Sequence, residues 1–579
     1  MKANRLVFTL LLLSTAAVFS LAAQKAEPDG KQLKDIRTRA EAGDPDSQVQ
    51  LGLRYVNGEG VAEDPAEAMK WYRKAAEQNY APGQYHLGLG YAHGNGVAKD
   101  QAEAAKWYRK AVEQNDAKAQ YALAVCYENG DGVAKDPMEA VKLYRKAAEQ
   151  NYAEAQHNLA FCYLMGEGVA KNEVEAAKWF RKAAEQNIAA AQFSLGFCYA
   201  HGAGVAKDQV EAVKWYRKAA EQNDVKAQYT LADCYSKGEG IAKDPVEVVK
   251  WYRKAAEQNY PGAQWNLGLR YLTGEGVTKD QAEAVKWFRK AAEQNAWAQW
   301  SLGLRYSTGE GVTKDPAEAV KWFRKAAEQD DARGQYNLGL CYAYGQGVAK
   351  DPVEAVKWFR KAAEQNYDLS QYRLGMCYSD GEGLPKDQVE AVKWLRKAAE
   401  QNNAKAQVTL GLCYAKGDGV PRDMAEAVKW YRKAAEQNNA DAQCNLGVCY
   451  AHGEGVAKDE VEAAKWFRKA AEQNLARAQH ALGVCYAGGY GVTKDYAEAV
   501  KWFRQAAEQN DAKAQSNLGD CYDNGDGVAK DYAEAYKWLL LATGQGNENA
   551  KKTMATLEKK MTPEQIEEGK KRARDFKPR

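Results

Sequence analysis

Cysteine is the first residue type in this chain whose spacing needs a chemical test, because thiols form disulfides and bind metals. Ten of the 11 cysteines share one position of a repeated pattern: Cys126, Cys162, Cys198, Cys234, Cys341, Cys377, Cys413, Cys449, Cys485 and Cys521. On stacked helices such positions lie about 8–10 Å apart, whereas a disulfide needs Cα atoms within about 7 Å. The sequence also has no Cys-x-x-Cys pair or Cys/His cluster. It therefore predicts free, partly buried thiols, no metal site and no cofactor.

The histidines and serines do not form a catalytic constellation. His93, His201 and His452 occupy one position in three distant repeats, so they would not meet at one metal. Ser-x-x-Lys, Lys-Thr-Gly, Gly-x-Ser-x-Gly and His-Glu-x-x-His are all absent. The recurring Gly-x-Gly follows no strand pattern and is typical of a turn that ends a helix, not of a phosphate loop. We expect no catalytic residues and no enzymatic activity.

A Lys-Trp pair before an aromatic residue recurs along the chain and defines the repeat. The marker positions are Trp71, Trp107, Leu143, Trp179, Trp215, Trp251, Trp287, Trp322, Trp358, Trp394, Trp430, Trp466, Trp502 and Trp538. Every interval is 36 residues except the one from Trp287 to Trp322, which is 35. Fourteen units follow from these markers, and we expect a local change of curvature near residues 290–300.

Residues 116–151 show why each unit is a helix pair. Apolar residues such as Leu123 and Tyr127 recur at helical spacing, and Gly130-Asp131-Gly132 ends this first helix. Asp136-Pro137 then begins a second helix as N-cap and first residue. A helix pair buries both faces only when pairs stack. The predicted fold is an all-α solenoid of about 14 tandem 36-residue helix–loop–helix repeats, wound into a right-handed superhelix.

The ends of the chain differ from the repeats. A basic start and the apolar run at residues 6–18 are typical of a secretory signal cleaved near Ala22, with an uncleaved anchor as the alternative. We predict an exported, bacterial protein of the periplasm or extracellular space, without an integral membrane segment after cleavage. The predicted parts are a signal peptide (1–22), a linker and N-terminal capping helix (23–43), the repeats (44–543) and C-terminal capping helices (544–579).

The repeated sequence resembles the Sel-one-like repeat family of tetratricopeptide-like solenoids. Residues 191–220 carry its pattern: Ala-Gln-x-x-Leu-Gly-x-x-Tyr, then Gly-x-Gly-Val-x-x-Asp, then Glu-Ala-x-x-Trp-Tyr and Lys-Ala-Ala. The likeness covers roughly residues 44–543. It implies a scaffold or adaptor for protein complexes, without naming a partner. Some secreted relatives carry a β-lactamase label, so a hydrolase of that kind stays as a remote alternative.

One variable position supplies the candidate binding residues. The position after the Ala-Gln pair is aromatic in eight of fourteen units: Tyr85, Tyr121, Phe193, Tyr229, Trp265, Trp300, Tyr336 and Tyr372. By resemblance to tetratricopeptide solenoids this stripe faces a concave groove, where it would bind a protein or peptide. Two alternatives remain at this point: the rings pack between helices, or they stack on cell-wall glycans. The net charge of +3 over 579 residues gives no reason to expect a nucleic acid partner.

Overall fold

The computed structural model describes residues 30–578, and every regular element among them is helical. The predicted all-helical solenoid of tandem repeats is confirmed. Contacts divide the chain into two compact units, residues up to 279 and residues from 280 onward. The predicted signal peptide and most of the linker lie outside the described residues. Within the described part, no helix has the length and apolar character needed to cross a membrane.

In the first unit, α1 is followed by alternating helices of two kinds. Even-numbered helices are the first of each repeat and are called A helices; odd-numbered ones from α3 are B helices. The bounds are α1 Gly30–Glu41, α2 Pro45–Asn57, α3 Pro65–Glu77, α4 Ala81–His93, α5 Gln101–Glu113, α6 Ala117–Asn129, α7 Pro137–Glu149, α8 Ala153–Met165, α9 Glu173–Glu185, α10 Ala189–His201, α11 Gln209–Glu221, α12 Val225–Lys237, α13 Pro245–Glu257 and α14 Pro261–Thr273.

The second unit continues the alternation from a B helix, α15, and ends with two extra helices. The bounds are α15 Gln281–Ala291, α16 Ala296–Thr308, α17 Pro316–Glu328, α18 Ala332–Tyr344, α19 Pro352–Glu364, α20 Asp368–Asp380, α21 Gln388–Glu400, α22 Ala404–Lys416, α23 Met424–Glu436, α24 Ala440–His452, α25 Glu460–Glu472, α26 Ala476–Gly488, α27 Tyr496–Glu508, α28 Ala512–Asn524, α29 Tyr532–Gly544, α30 Glu548–Leu557 and α31 Pro563–Arg574. A 3₁₀ turn, Glu558–Lys560, follows α30.

The helix boundaries follow from the residues that cap them. The Asp136 carboxylate accepts hydrogen bonds from the backbone N–H groups at the start of α7, and Pro137 is the first helical residue. Gly130 ends α6 with φ of 85°, and its N–H donates to the carbonyl of Cys126. Asn151 adopts φ of 64° after α7, a conformation that asparagine tolerates better than most residues. A side-chain N-cap on the B helix, a positive-φ glycine after the A helix and a positive-φ Asn or Asp after the B helix recur in most other repeats.

Two glycine positions let neighbouring elements approach closely. A Cβ added to Gly88 in α4 would lie 2.7 Å from the Tyr108 ring of the following B helix. The second glycine of each loop packs on the preceding repeat: a Cβ on Gly204 would overlap the backbone carbonyl of Glu173 at the start of α9. Helix pairs and successive repeats therefore pack at distances that a larger side chain would prevent.

Buried glutamines connect three successive segments at each repeat junction. Gln120 in α6 is 1% exposed, and its Nε2 donates to Oδ1 of Asn115, the positive-φ residue that follows α5. Gln150, the C-cap of α7, donates from Nε2 to Gln120 Oε1 at 2.8 Å. Gln156 and Asn151 make the same contact one repeat later. We call this network the glutamine ladder, and it occurs within both units.

The 35-residue repeat changes this junction. α15 has 11 residues where the other B helices have 13. Asn295 has φ of −124° instead of the positive φ found at equivalent positions, and its side chain caps α16 by accepting from Ala298 N. Gln299 Nε2 donates to the Ala292 carbonyl at 2.8 Å. Helix geometry is therefore not uniform near residues 290–300.

We predict that Gly204→Ala destabilises the protein much more than Gly202→Ala. Both glycines have positive φ in one loop, so each alanine costs about 1–2 kcal/mol of backbone strain. Only Gly204 lacks space for a Cβ, since the nearest atom to a Cβ on Gly202 would be at 3.4 Å. Thermal unfolding followed by circular dichroism measures the difference. Equal melting temperatures for the two variants would contradict the close contact between repeats.

A second prediction concerns the glutamine ladder. Gln120→Met removes the bonds of Gln120 to Asn115 and Gln150, and at about 0.5–1.5 kcal/mol for each bond we expect about 1–3 kcal/mol of destabilisation. The matched control is Gln50→Met on α2, where the lost amide bond to Asp46 is exposed and should cost less than about 0.5 kcal/mol. Urea unfolding of both variants tests this. A Gln120→Met variant as stable as the control would show that the ladder contributes little.

Candidate functional site

The predicted aromatic stripe lies half-buried on the A helices. All eight rings have intermediate exposure, five of them in the first unit and Trp300, Tyr336 and Tyr372 in the second. Five of the rings pack on the B-helix ring of their own repeat, at centroid distances from 5.5 to 6.1 Å. The stripe therefore has a packing role within each repeat, and only part of each ring reaches solvent.

Several stripe rings also contact the next repeat. Tyr121 lies 5.4 Å from Tyr152, and Tyr336 lies 5.6 Å from Tyr367, between ring centroids. These partners precede the next A helix, so the rings fill the junction between repeats. Such pairs contribute about 0.5–1.5 kcal/mol beyond burial. Sequence spacing alone did not reveal these partners, because they are contributed by the following repeat.

More strongly exposed groups lie on other positions of the A helices in the second unit. Trp297 is 50% exposed, Tyr344 56%, Leu369 39% and Leu412 37%. Together with neighbouring cations they form a surface across α16, α18, α20 and α22, which we call the A-face. Its members are Trp297, Arg333, Tyr344, Leu369, Arg373, Met376, Asp380, Lys405, Leu412 and Lys416. None of these residues was predicted as a site residue from the sequence, although Trp297 and Tyr344 stand out as aromatic residues at positions that are mostly polar or small in other repeats.

The Arg333 side chain connects two tryptophans at one end of the A-face. Its guanidinium carbon lies 4.5 Å from the Trp297 ring centroid and 4.6 Å from that of Trp300. Asp331 holds the other side of the guanidinium through an ion pair of 2.7 Å. The position of Arg333 is fixed by these three partners, and the cation–π contacts add attraction that burial strengthens. One edge of Trp297 remains available to solvent.

A cavity between α18 and α20 lies beside this cluster. Its volume is 170 Å³, and its apolar wall includes Leu340, Phe359, Tyr372 and Met376. Arg373 also lines it, with its guanidinium carbon 5.7 Å from the Tyr344 ring centroid. The rim carries Lys350, Asp380 and Glu382. The arrangement can accept one apolar side chain while polar groups contact the neighbouring backbone.

The cysteines do not contribute reactive groups to this surface. All 11 are buried and unbridged, ten of them at the repeated A-helix position. Burial raises the pKa of Cys126 and Cys413 to about 11, so their thiols stay protonated at neutral pH. Protonated thiols are weak nucleophiles and weak metal ligands. Between residues 30 and 578, no three His, Cys, Asp or Glu side chains are grouped to hold a metal ion.

Two histidines, the buried His157 and the half-buried His86, are neutral for a similar reason. Burial lowers the pKa of His157 to about 4, and Nδ1 of this ring lies 3.4 Å from the Asn158 amide oxygen. Burial also lowers the pKa of His86 to about 4, where the ring stacks on Tyr72 at 5.1 Å. His86 is therefore a half-buried residue that packs on the B-helix ring of the preceding repeat. Neither ring is positioned beside a nucleophile.

The geometry defines a helical repeat protein whose variable surface is carried by the A helices. The Sel1 repeat model matches fourteen consecutive segments, at residues 45–80, 81–116, 117–152, 153–188, 189–224, 225–260, 261–295, 298–331, 332–367, 368–403, 404–439, 440–475, 476–511 and 512–547. The chain belongs to the Sel1 repeat family. Sel1 repeat proteins are generally scaffolds for protein interactions.

Two solved structures are similar to this chain. One is a protective antigen present in uropathogenic Escherichia coli strains that displays an SLR fold; it is 38% identical, with 75% of this chain and 94% of that chain covered and a TM-score of 0.63. The other is a Sel1 repeat protein from Oxalobacter formigenes, 33% identical, with 53% and 92% covered and a TM-score of 0.45. No curated protein matches the chain.

We predict that the stability lost in Cys413→Ala depends on pH. The native thiol, with its raised pKa, keeps its proton while the unfolded thiol ionises near its ordinary pKa of about 8.5. Its stabilising effect is therefore complete at neutral pH and falls as pH rises toward 11. The penalty of Cys413→Ala should shrink by about 1–2 kcal/mol between pH ~7 and pH ~10.5.

Thr409→Val on the same helix is the control, because its hydroxyl bonds the Lys405 carbonyl and does not titrate in this range. Urea unfolding at the two pH values measures both penalties. If the Cys413→Ala penalty changes no more than that of Thr409→Val, the thiol has an ordinary pKa in the folded protein.

Proposed function

We propose that this protein is an exported, non-catalytic scaffold that binds protein or peptide partners through the exposed side of its A helices. The observation that carries the proposal is the A-face, where exposed aromatic, aliphatic and cationic side chains lie together on successive A helices. Tryptophan, tyrosine and arginine are the residues that most often dominate binding energy at protein interfaces. The concave groove inferred from related solenoids is the surface we assign to the partner.

The packing of the eight stripe residues modifies their part in this proposal. Rings such as Tyr336 pack in the junctions between repeats and so support the A helices. In this proposal their exposed edges form the less exposed part of the binding surface. Side chains that project further, such as Trp297 and Tyr344, make the first contacts with a partner. A rigid support for a few exposed anchors favours affinity, because less side-chain freedom is lost on binding.

Export is the second part of the proposal. It is supported by the basic start and short apolar run of the leader and by likeness to a protective antigen of uropathogenic Escherichia coli. An exported scaffold would meet its partners in the periplasm or outside the cell. The simplest direct test is to determine the N-terminal residue of the mature protein; an intact Met1 in the exported fraction would contradict cleavage near Ala22.

A photoactivatable phenylalanine analogue placed at Trp297 or Tyr344 tests where partners bind. Because both positions are exposed and aromatic, the analogue should preserve the fold and crosslink to protein partners in the cell of origin. Matched controls carry it at Met138 and Val246, which are 64% and 65% exposed at the starts of two B helices. Adducts identified by mass spectrometry should be enriched at the A-face positions. Equal labelling at all four positions, or adducts with glycan strands alone, would contradict the proposal.

Alanine variants of the A-face residues test how much binding free energy these residues contribute to a partner identified by crosslinking. Trp297→Ala and Tyr344→Ala should each weaken its affinity by about 2 kcal/mol, roughly thirtyfold, because each removes an exposed anchor. Met138→Ala should leave the affinity within about 0.5 kcal/mol of the starting value. Isothermal titration calorimetry measures the affinities, and circular dichroism checks that each variant is folded. Unchanged affinity in both A-face variants would exclude this surface as the binding site.

A further inference from the structure

Two sets of cations in the second unit, the marker lysines of the B helices and the cations of the A-face, have different surroundings. On the B helices, each marker lysine pairs with the glutamate three residues before it: Lys286–Glu283, Lys321–Glu318, Lys357–Glu354, Lys393–Glu390, Lys429–Glu426, Lys465–Glu462, Lys501–Glu498 and Lys537–Glu534. On the A-face, no carboxylate of residues 30–578 lies within ion-pair distance of Arg373, Lys405 or Lys416. The marker lysines are thus paired with carboxylates within the protein, while these three A-face cations have no carboxylate partner among the described residues.

The unpaired cations lie beside apolar groups that are also exposed. Lys405 and Leu369 occupy the same position on neighbouring A helices, α22 and α20, so their side chains leave the same side of the unit. Leu412, 37% exposed, lies between Lys405 and Lys416 on α22 at spacings of seven and four residues. Arg373 borders the 170 Å³ cavity with Tyr344 and Met376. Cationic and apolar contacts therefore alternate across α18, α20 and α22.

The acidic groups nearby are engaged elsewhere or placed at one edge. Asp331 pairs with Arg333, and Asp368 accepts a hydrogen bond from the Asn403 amide at 2.8 Å. Asp380 and Glu382 lie at the rim of the cavity, where Lys350 provides a counter-charge. On α22, the exposed ionisable residues of the A-face are Lys405 and Lys416, and both are cations.

We propose that the partner is an extended peptide segment that presents carboxylates next to apolar side chains. This inference rests on the proposed function and specifies its partner. One apolar side chain of the peptide enters the cavity between α18 and α20 and contacts Met376 and Tyr372. Asp or Glu side chains on either side of it pair with Arg373 and Lys405, which lack such partners within the protein. A carboxylate also meets Lys416 where the segment continues across α22.

The test uses the full-length mature protein and a displayed library of random linear peptides as the probe. Selected sequences should be enriched in Asp and Glu next to aliphatic or aromatic residues. The best binder is then synthesised in two forms, one with its carboxylates and one with each Asp and Glu replaced by Asn and Gln. We expect the amide form to bind at least about tenfold more weakly, and the affinity of the acidic form to fall as salt rises.

Variants of the protein test the location and the role of charge. Arg373→Gln combined with Lys405→Gln should weaken the acidic peptide at least about tenfold and flatten its salt dependence. The control is Lys393→Gln combined with Lys429→Gln, which removes the same charge from paired B-helix lysines and should leave binding unchanged. Arg373→Lys keeps the charge and should retain most of the affinity. Circular dichroism of each variant confirms folding.

The outcomes separate this inference from the proposed function. The acidic partner would be overturned if the selected peptides bind at Trp297 and Tyr344 but carry no carboxylates. It would also be overturned if they bind the Arg373→Gln, Lys405→Gln variant as tightly as the unmodified protein. Either result would leave the scaffold function standing. Failure to bind any peptide, together with sedimentation on isolated peptidoglycan, would overturn both. Equal loss in the B-helix control would show a general charge effect and also overturn the assigned site.

Discussion

The hydrogen bonds of the glutamine ladder are the interaction on which the repeat geometry depends. A buried amide such as Gln120 has to be paired, and its partners here come from the end of the preceding B helix and from the C-cap of the following one. Asn115 supplies its partner where it adopts positive φ and turns the chain directly into the next A helix. Apolar packing drives the helices together without direction. The ladder selects one angle and one offset between them.

The helix pairs and their caps were predictable because their causes are local. Asp136 and Pro137 begin α7, and Gly130 ends α6, through bonds within a few residues. Gly88 accommodates the ring of Tyr108, which lies on the B helix of the same repeat. The ladder itself was not predicted, although the glutamines were in view as part of the Ala-Gln pair. Its bonds join residues 30 and 35 positions apart, beyond the reach of local spacing.

The candidate site was predictable only in part, for the same reason. Sequence position placed the stripe on the A helices, but exposure of each ring depends on which residue the next repeat contributes; Tyr152 covers Tyr121 in this way. The contact of Arg333 with Trp297 joins side chains 36 residues apart, on neighbouring A helices. Whether an individual cation is paired is likewise decided by three-dimensional neighbours. Lys393 and Lys405 are both lysines, but Lys393 pairs with Glu390 whereas Lys405 has no carboxylate partner among the described residues.

The repeat that is one residue shorter changes the junction near position 295, next to the first A-face residue, Trp297. Without a positive-φ asparagine at this junction, Asn295 takes the N-cap role, and Trp297 falls on the first turn of α16 at the position that Arg333 occupies in the next repeat. The two side chains can then stack across neighbouring A helices. A uniform repeat would keep the ladder intact but offer the same groups in every unit. At this junction Gln299 keeps the bond to an alanine carbonyl that ladder glutamines also make in regular repeats, while Asn295 caps α16. The shorter repeat is therefore accommodated without loss of that buried bond.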